Sequence, residues 1–502
     1  MNQAISTNNY DIVVVGAGVN GTGIALDAAG RGLKVLLCEK DDIASGTSSN
    51  SSKLIHGGLR YLEYFEFGLV REALAEREIL LRKAPHIIKP LRFRLPHTGL
   101  RPAWLIRLGL WFYDHLVSLK SLEGSTGIRC DASDQLCAGA VKGFEYSDAW
   151  VDDARLVVLN AVGAKALGCD VRTRTTCTGA SRSNNGWQIH LQQEHNNQQE
   201  TVTATALVNA AGPWVEQFLR HALPEEPRES LRLVKGSHIV VPKIHNHDKA
   251  YLIQHDDRRV IFVLPYEQDF SLIGTTEVKY DGNPAQATID ADEYSYLLAA
   301  VNTHFTVNIQ QSDIIHSFSG VRPLVEDEAS KAQAVSREYI LTLADIDKKA
   351  PLLTVYGGKI TTYRSLAEAA MAKLQPYFTS MTNNWTANAP LPGGDFDTKE
   401  ALTERLHHQH PYLSQSLCAR FARSYGTLSF RLLAEANTLS DMGQCFGREL
   451  YAQEVAYLIT HEFAKSSDDI LWRRSKLGLH QQSIDSQALT TFITSHLKTA
   501  PK

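Results

Sequence analysis

The sequence predicts an α/β fold: a doubly wound parallel sheet, a second domain built on an antiparallel sheet, and an all-α C-terminal domain. Three patterns indicate this. Residues 11–39 read as a strand, a glycine turn, a helix and a second strand. Residues 231–275 contain consecutive β-rich runs without a helix between them, which is typical of antiparallel pairing. The chain after residue 394 has a helical pattern throughout.

The first strand–turn–helix unit carries the strongest motif. Residues 11–15 form a short β-branched run, as expected of a buried parallel strand. Gly16, Gly18 and Gly21 form G-x-G-x-x-G, which permits a tight turn, backbone approach to a pyrophosphate and close packing of the helix. Glu39 ends the second strand, where a carboxylate accepts hydrogen bonds from a ribose. The pattern predicts dinucleotide binding and leaves NAD and FAD open.

Two later turns favour FAD over NAD. Residues 208–212 end an apolar strand on Ala-Ala-Gly, similar to the Ala-Thr-Gly-like turn of glutathione-reductase-type flavoproteins. Residues 352–356 run through Gly357 and Gly358 into a helix predicted for about 361–374. Backbone N–H groups at that helix start suit the electron-rich N1–C2=O region of a flavin. We therefore expect a Rossmann-type FAD-binding domain of the glutathione-reductase/D-amino-acid-oxidase type.

Composition narrows the protein class. The chain has 502 residues and a net charge of −4, which gives no reason to expect nucleic acid. Its seven cysteines are scattered and never spaced C-x-x-C, so we expect neither a disulfide framework nor a metal site. The first residues lack an export signal, and no run reaches the ~18 apolar residues of a spanning helix. The sequence predicts a cytoplasmic protein whose membrane contact, if any, is peripheral.

The domain prediction is discontinuous. Amphipathic helices are predicted at 65–84 and 153–167. The predicted FAD-binding domain comprises 1–90, 145–225 and 315–388, the substrate-binding domain 91–144 and 226–314, and the helical C-terminal domain 389–502.

Nine segments distributed over almost the whole chain resemble one family. They are SSKLIHGGLRYL (51–62), FRLPH (93–97), GFEYS (143–147), VDDAR (151–155), KGSHIVVP (235–242), IGTT (273–276), SGVRPL (319–324), GGKITTYR (357–364) and LWRR (471–474). Together they resemble the FAD-dependent glycerol-3-phosphate dehydrogenases, the respiratory, quinone-reducing enzymes. The departures are small: Ala211 replaces the usual Thr of the second turn, and residues 178–206 are variable in character.

The resemblance implies a reaction and its partners. The C2 hydroxyl of sn-glycerol 3-phosphate loses its proton, the C2 hydride moves to flavin N5, and dihydroxyacetone phosphate leaves. Electrons then pass to ubiquinone or a related quinone, which implies peripheral attachment to the inner face of the cytoplasmic membrane.

The resemblance also implies roles for individual residues. Arg60, Tyr61, Lys359 and Arg322 are expected to hold the substrate, because Arg and Lys suit phosphate oxygens. Arg322 is expected either to hold the phosphate or to stabilise the charge that develops on the alkoxide. His238 is the candidate general base; His56 is the rival, although its place favours flavin contact. The expected cofactor residues are Gly16, Gly18, Gly21, Glu39, Ser52, His56, Gly212, Gly358 and Thr361.

Residues 101–116 form the most apolar stretch outside the predicted strands. At helical spacing Trp104, Leu108, Trp111 and Phe112 share one face. Such a stripe is more often packed into the core, and we expect core packing here. The alternative is an interfacial helix, because Trp, Tyr and Arg suit the lipid headgroup level.

Two other functions remain open at this stage. A glycerophosphate oxidase, which passes electrons to O2, would keep the same flavin and phosphate residues, although no inserted segment typical of oxidases is present. A non-catalytic flavin-binding regulator would not need a base and three cations. The role of the C-terminal domain is open between partner contact and formation of a homodimer.

Overall fold

The computed structural model describes residues 9–499 apart from 98, 100, 119–120, 138–141, 185, 224, 255–258 and 327–338. Its strands, in chain order, are β1 Asn9–Val15, β2 Val35–Cys38, β3 Leu54–Ile55, β4 Ile88–Pro96, β5 Thr126–Arg129, β6 Lys142–Val151, β7 Asp170–Arg172, β8 Thr175–Ser183, β9 Gly186–Gln193, β10 Gln199–Asn209, β11 Leu231–Pro242, β12 Ala250–Gln254, β13 Val260–Tyr266, β14 Phe270–Gly274, β15 Val278–Lys279, β16 His316–Val325, β17 Tyr339–Ile346 and β18 Lys349–Gly357.

The α-helices of the same residues flank the sheets or form the C-terminal domain. They are α1 Val19–Gly30, α2 Phe67–Lys83, α3 Ala103–His115, α4 Asp153–Ala166, α5 Val215–Ala222, α6 Ala291–His304, α7 Tyr363–Leu374, α8 Lys399–Gln409, α9 Gln415–Tyr425, α10 Leu428–Leu432, α11 Ala452–Glu462 and α12 Ser486–Thr499.

The first sheet is the predicted doubly wound core. Its main path runs in the order β17-β18-β10-β1-β2-β7, along which all neighbours pair in parallel except the edge strand β17. Off this path, β9 pairs antiparallel with β10 and β8 pairs antiparallel with β9. Buried aliphatic side chains cover both faces of β1, as a central parallel strand requires. α1 packs between the sheet, α4 and α7. The carboxyl ends of β1, β2, β10 and β18 therefore meet at one edge, where ligands of such sheets bind.

The second sheet confirms the predicted antiparallel domain, with one parallel pair between β12 and β4. Its strands run in the order β15-β11-β14-β13-β12-β4-β6-β3, with β16 on β11 and β5 on β6. β16 pairs with β11 from Val325 to His316, although the sequence placed residues 315–325 in the FAD-binding domain. These hydrogen bonds place β16 in the second sheet. The chain returns to the first sheet only at β17.

The C-terminal domain is helical, as predicted, and has its own apolar core. It joins the first domain through buried ion pairs. Arg155 at the start of α4 donates to Glu462 at the end of α11 and to the Ser424 carbonyl, and Lys476 lies 3.1 Å from Asp152. Burying such pairs is favourable only when the geometry is satisfied, so these contacts define one orientation of the domain.

The apolar stripe of α3 is not core, contrary to the expectation. Only Leu110 and Tyr113 of this helix are buried. Trp104 is 68% exposed, and Phe65, which precedes α2, is 79% exposed. Trp104, Leu105, Leu108, Trp111 and Phe112 are each at least 38% exposed, so the stripe of this helix forms part of an exposed apolar patch. The patch, as the term is used below, comprises Phe65, Phe67, Trp104, Leu105, Leu108, Trp111 and Phe112.

None of the helices in the described ranges is long and apolar enough to cross a membrane.

Candidate functional site

A cavity of about 1640 Å³ runs along the edge where the strands of the first sheet end, and residues of the second sheet form its opposite wall. Ligand pockets commonly measure about 300–1,000 Å³, so this one has room for a dinucleotide together with a small substrate. Most of the predicted site residues line it: Gly16, Gly18, Glu39, Ser52, His56, Arg60, Tyr61, Gly212, Arg322, Gly358, Lys359 and Thr361. Gly21 and His238 lie behind its wall.

At one end of the cavity the glycine turn has no room for side chains. Gly16 has φ +102°, and a Cβ there would lie 2.6 Å from the Ala210 carbonyl oxygen. A Cβ on Gly21 would lie 1.8 Å from the Gly16 carbonyl oxygen. Gly21 therefore supports the turn from below and does not face the cavity. The turn feeds directly into the N-terminus of α1, a favourable position for a pyrophosphate.

Glu39 closes this end of the cavity. Its Oε2 accepts a 2.7 Å hydrogen bond from the Ala17 N–H and its Oε1 a 2.9 Å bond from the Asp41 N–H. Burial raises the pKa of Glu39, while the two backbone donors lower it. Each oxygen keeps acceptor capacity, so this carboxylate, which lines the cavity, could accept hydrogen bonds from the ribose of a dinucleotide.

The other two predicted turns lie farther along the same edge. Gly212, Gly357 and Gly358 all have positive φ, at +56°, +69° and +99°, conformations that glycine adopts without strain. The turn after β18 leads to the N-terminus of α7. There Thr361 Oγ1 accepts a long, 3.4 Å hydrogen bond from the His56 N–H. This contact brings the segment around residue 56 against the predicted flavin-ring position.

Basic side chains converge beyond that turn. Arg60 follows the Gly57–Gly58 turn and makes no ion pair with the described residues. The Lys359 ammonium lies 4.2 Å from the centre of the Tyr61 ring, a cation–π distance. Arg322, on β16, donates from Nη2 to Thr275 Oγ1 at 3.1 Å. Three cations from separate segments therefore line the cavity. The part that they line, called the cationic end below, suits a multiply charged anion.

His238 is the predicted site residue whose placement differs most from expectation. It is buried on β11, its ring stacks on Phe318 at 4.9 Å, and its Nε2 shares a 2.9 Å hydrogen bond with Ser52 Oγ. Ser52 lines the cavity, whereas His238 is one hydrogen bond behind it. Burial, together with the Arg322 and Lys53 cations, lowers the pKa of His238 well below its usual value. The imidazole is therefore neutral at pH 7 and reaches the cavity through Ser52.

Several residues around the cavity were missed at the sequence level. Ser48 Oγ accepts a hydrogen bond from the Val19 N–H at 2.9 Å, connecting a distant loop to the glycine turn. Glu277 lines the cavity 3.7 Å from Arg322. Tyr113 of α3 accepts from the Gly57 N–H at 2.8 Å and donates to Asp148. Isolated serines, acids and tyrosines carry no local pattern, so only the folded chain identifies them.

The patch continues into the cavity. Phe65, Phe67, Leu105, Leu108 and Phe112 belong to the patch and also line the cavity. Phe67 and Phe112 meet edge to face at 6.0 Å. An apolar entrance therefore leads from the exposed surface of α3 toward the cationic end.

The residues present fit a bound FAD. Gly16 and Gly18 of the first turn line the cavity with backbone alone, and the Gly357–Gly358 turn presents the N-terminus of α7, whose N–H groups would face the flavin carbonyl. Between them Glu39, Ser48 and Ser52 present side-chain oxygens. One continuous cavity joins a pyrophosphate turn, a ribose acceptor and a flavin-facing helix N-terminus.

Comparison with known proteins agrees with this architecture. Residues 11–364 match the model of the FAD dependent oxidoreductase family, and residues 384–496 match the C-terminal domain of alpha-glycerophosphate oxidase. A solved structure of glycerol-3-phosphate dehydrogenase from Bacillus halodurans complexed with FAD superposes with a TM-score of 0.74 at 23% identity. It covers 99% of this chain and 95% of its own, which shows a shared fold.

Two relatives are much more similar to this chain in sequence than the Bacillus halodurans protein is. Glycerol-3-phosphate dehydrogenase of Pseudomonas aeruginosa is 52% identical, with 98% of this chain and 96% of the relative covered. D-erythritol 1-phosphate dehydrogenase of Brucella abortus is 48% identical, with 94% and 95% covered. Sequence, fold and site thus agree, and the chain belongs to the family of FAD-dependent glycerol-3-phosphate dehydrogenases.

Proposed function

We propose that the protein oxidises sn-glycerol 3-phosphate to dihydroxyacetone phosphate at the cationic end of the cavity. The observation that carries this proposal is that Arg60, Arg322 and Lys359, three cations from separate segments, all line this cavity, with Lys359 in the turn that precedes α7. Bound FAD supplies the two-electron acceptor. The substrate phosphate, a dianion, matches the cations, and its short carbon chain fits between them and the flavin-facing turn.

Each side chain of the site has a separate role in this reaction. Arg60 and Lys359 hold the phosphate, and Tyr61 orients the Lys359 ammonium through its ring. Arg322 stabilises the negative charge that develops on the C2 oxygen. The C2 hydroxyl proton moves to His238 Nε2 by way of the Ser52 hydroxyl, which gives up its own proton as it accepts the new one. His238 is neutral at pH 7, so its Nε2 has a lone pair for this proton; because its pKa is lowered by burial, the protonated ring passes the proton on readily.

Anaerobic titration of the purified holoenzyme tests the function. sn-Glycerol 3-phosphate should bleach the flavin absorbance, whereas D-erythritol 1-phosphate should bleach it more slowly. Faster bleaching by the four-carbon phosphate would reassign the substrate. No bleaching by either would overturn the proposal. Re-oxidation by a quinone analogue should be faster than by O2; the reverse result would make the protein an oxidase.

We further propose peripheral contact with the inner face of the cytoplasmic membrane through the patch, with a ubiquinone-like acceptor entering beside it. The support is the exposure of Trp104 and Trp111 on a helix that contains Arg107 and is preceded by Arg101. Tryptophan and arginine favour the headgroup region. The apolar entrance supports the acceptor route, because a quinone is confined to the bilayer.

Vesicle sedimentation tests the contact. The double variant Trp104→Ser/Trp111→Ser should lose most binding to anionic vesicles, while its oxidation of substrate with a soluble acceptor stays within twofold. Leu439→Ser/Leu497→Ser is the matched control, since both leucines are exposed and lie in the C-terminal domain. Equal binding by both double variants would place the contact elsewhere.

A further inference from the structure

The C-terminal motif at 471–474 has no part in the function proposed above, yet it touches the segment that builds the cavity. It lies in the π-helical turn Asp469–Arg474. Arg474 is buried, and it has partners both inside and outside the C-terminal domain. Its guanidinium reaches across the domain boundary to Asp42, three residues after Glu39.

The Asp42 carboxylate accepts its hydrogen bonds from arginines of the C-terminal domain. Arg474 donates to its two oxygens at 2.5 and 2.8 Å, and Arg473 donates from Nε at 2.6 Å. Arg474 also donates to the Glu462 carbonyl at 2.7 and 3.1 Å, which holds the guanidinium rigid. Asp42 is only 1% exposed. A buried carboxylate so paired depends strongly on its partners, because losing one leaves charge without compensation.

The segment that Asp42 anchors supplies one wall of the cofactor cavity. Lys40, Asp41 and residues 44–48 line that cavity. The Ala44 N–H donates to the Ala17 carbonyl at 3.1 Å, so the position of the segment is transmitted to the glycine turn. Asp42 itself does not line the cavity and therefore acts only through its neighbours.

A second connection runs from the same turn toward the cationic end of the cavity, which is called the polyol end below. Trp472 stacks on His316 of β16 with ring centres 4.0 Å apart. Two residues along the same strand, Phe318 stacks on His238. Lys476 pairs with Asp152, while the neighbouring Asp153 pairs with Lys53 at 2.8 Å. The C-terminal turn thus contacts both the segment after Glu39 and the strand behind His238.

We propose that the Asp42–Arg474 pair positions the cofactor-binding segment 39–53, so that the C-terminal domain controls how tightly FAD is held. This role goes beyond the proposed oxidation and depends only on FAD binding; it stands or falls independently of the substrate. Asp42 and Arg474 are positioning residues, since neither lines the cavity.

The test compares two buried ion pairs in full-length holoenzyme. Arg474→Met removes the Asp42–Arg474 pair and leaves Arg473 as the remaining partner of Asp42 across the domain boundary. Arg420→Met removes the pair between Arg420 and Glu454, which lies within the C-terminal domain at 2.6 and 2.8 Å and is 12% and 0% exposed. FAD release is followed by the rise in flavin fluorescence after dilution, well below the melting temperature, and each melting temperature is measured in parallel.

Both variants should melt at lower temperature, but only Arg474→Met should release FAD about tenfold faster or more, equivalent to about 1.4 kcal/mol. Arg420→Met should stay within twofold of the parent. Asp42→Asn keeps the shape of the side chain and removes its charge, so it decides the matter if Arg474→Met does not fold; it should also accelerate release. Equal acceleration by the control, or lower melting temperatures with unchanged FAD release, would overturn the proposal.

Discussion

The two ends of the cavity are built on different principles. At the nucleotide end one continuous stretch, from β1 to the end of β2, forms the turn, the helix N-terminus and Glu39. At the polyol end Arg60, Arg322 and Lys359 come from three distant segments. The nucleotide end is formed mainly by backbone, whose geometry the glycine spacing determines. The polyol end is formed by side chains from separate segments, which come together only after both sheets have formed.

This difference has a consequence for what each end tolerates. A turn without space for Cβ atoms fails when any atom is added. A cluster of cations fails when charge is removed, and its loss affects substrate before cofactor. Substitutions at the two ends should therefore give separable defects: FAD retention at one, kinetic constants at the other.

The largest effect is expected from His238→Ala at the polyol end. Removing a general base should lower kcat roughly 10²-fold or more, while FAD stays bound. His245→Ala is the matched control, because His245 is equally buried near the same sheet and does not line the cavity. A steady-state assay at neutral pH with both variants measures the effect. Equal losses in the two would indicate damage to the fold and remove His238 from the mechanism.

The phosphate contacts should give the next largest effect. Arg60→Ala and Lys359→Met each remove charge-assisted hydrogen bonds worth about 1.5–3 kcal/mol, so KM for glycerol 3-phosphate should rise roughly 10- to 150-fold. Because these contacts exist before and during the reaction, kcat should change much less. Arg220→Ala, at an exposed ion pair with Glu226, should leave KM unchanged. An unaltered KM in both cavity variants would refute the phosphate assignment.

At the nucleotide end, Gly16→Ala should reduce FAD retention roughly 5- to 150-fold relative to Gly32→Ala, because forcing an extra atom into a filled space costs about 1–3 kcal/mol. Both glycines have positive φ, +102° and +87°, but only at Gly16 would the Cβ meet backbone, 2.6 Å from the Ala210 oxygen. The ratio of flavin to protein absorbance after gel filtration measures retention. Similar ratios would mean that strain alone, and not the space in the turn, determines the defect.

The smallest expected effect is a change in the acid sensitivity of folding. It distinguishes loss of stability at low pH from effects of low pH on the polyol end. Burial lowers the pKa of His86 from 6.5 to about 3. As pH falls below 6.5 the unfolded imidazole gains a proton and the folded one does not, so stability is lost, by about 2 kcal/mol at pH 5. His86→Leu should melt with a smaller difference between pH 7.5 and pH 5. A difference as large as in the parent protein would contradict this source of acid sensitivity.

Sequence patterns predicted the fold well because its elements are locally encoded. The first βαβ unit, the antiparallel second sheet and the helical C-terminal domain are confirmed. The placement of His238 behind Ser52 was not foreseeable, because the register of β11 against its neighbours decides which side chain reaches the cavity. The exposure of α3 was also not foreseeable, since an apolar stripe has the same spacing whether it faces a core or solvent.

The separation of Asp42 and Arg474 along the chain bears on how the protein matures. They are 432 residues apart, and synthesis at about 5–20 residues per second places roughly 20–90 s between them. During that interval the nascent N-terminal half has its glycine turn but not the partner that anchors residues 39–53. Stable cofactor loading is therefore expected after release from the ribosome, and premature termination near the C-terminus should produce colourless protein.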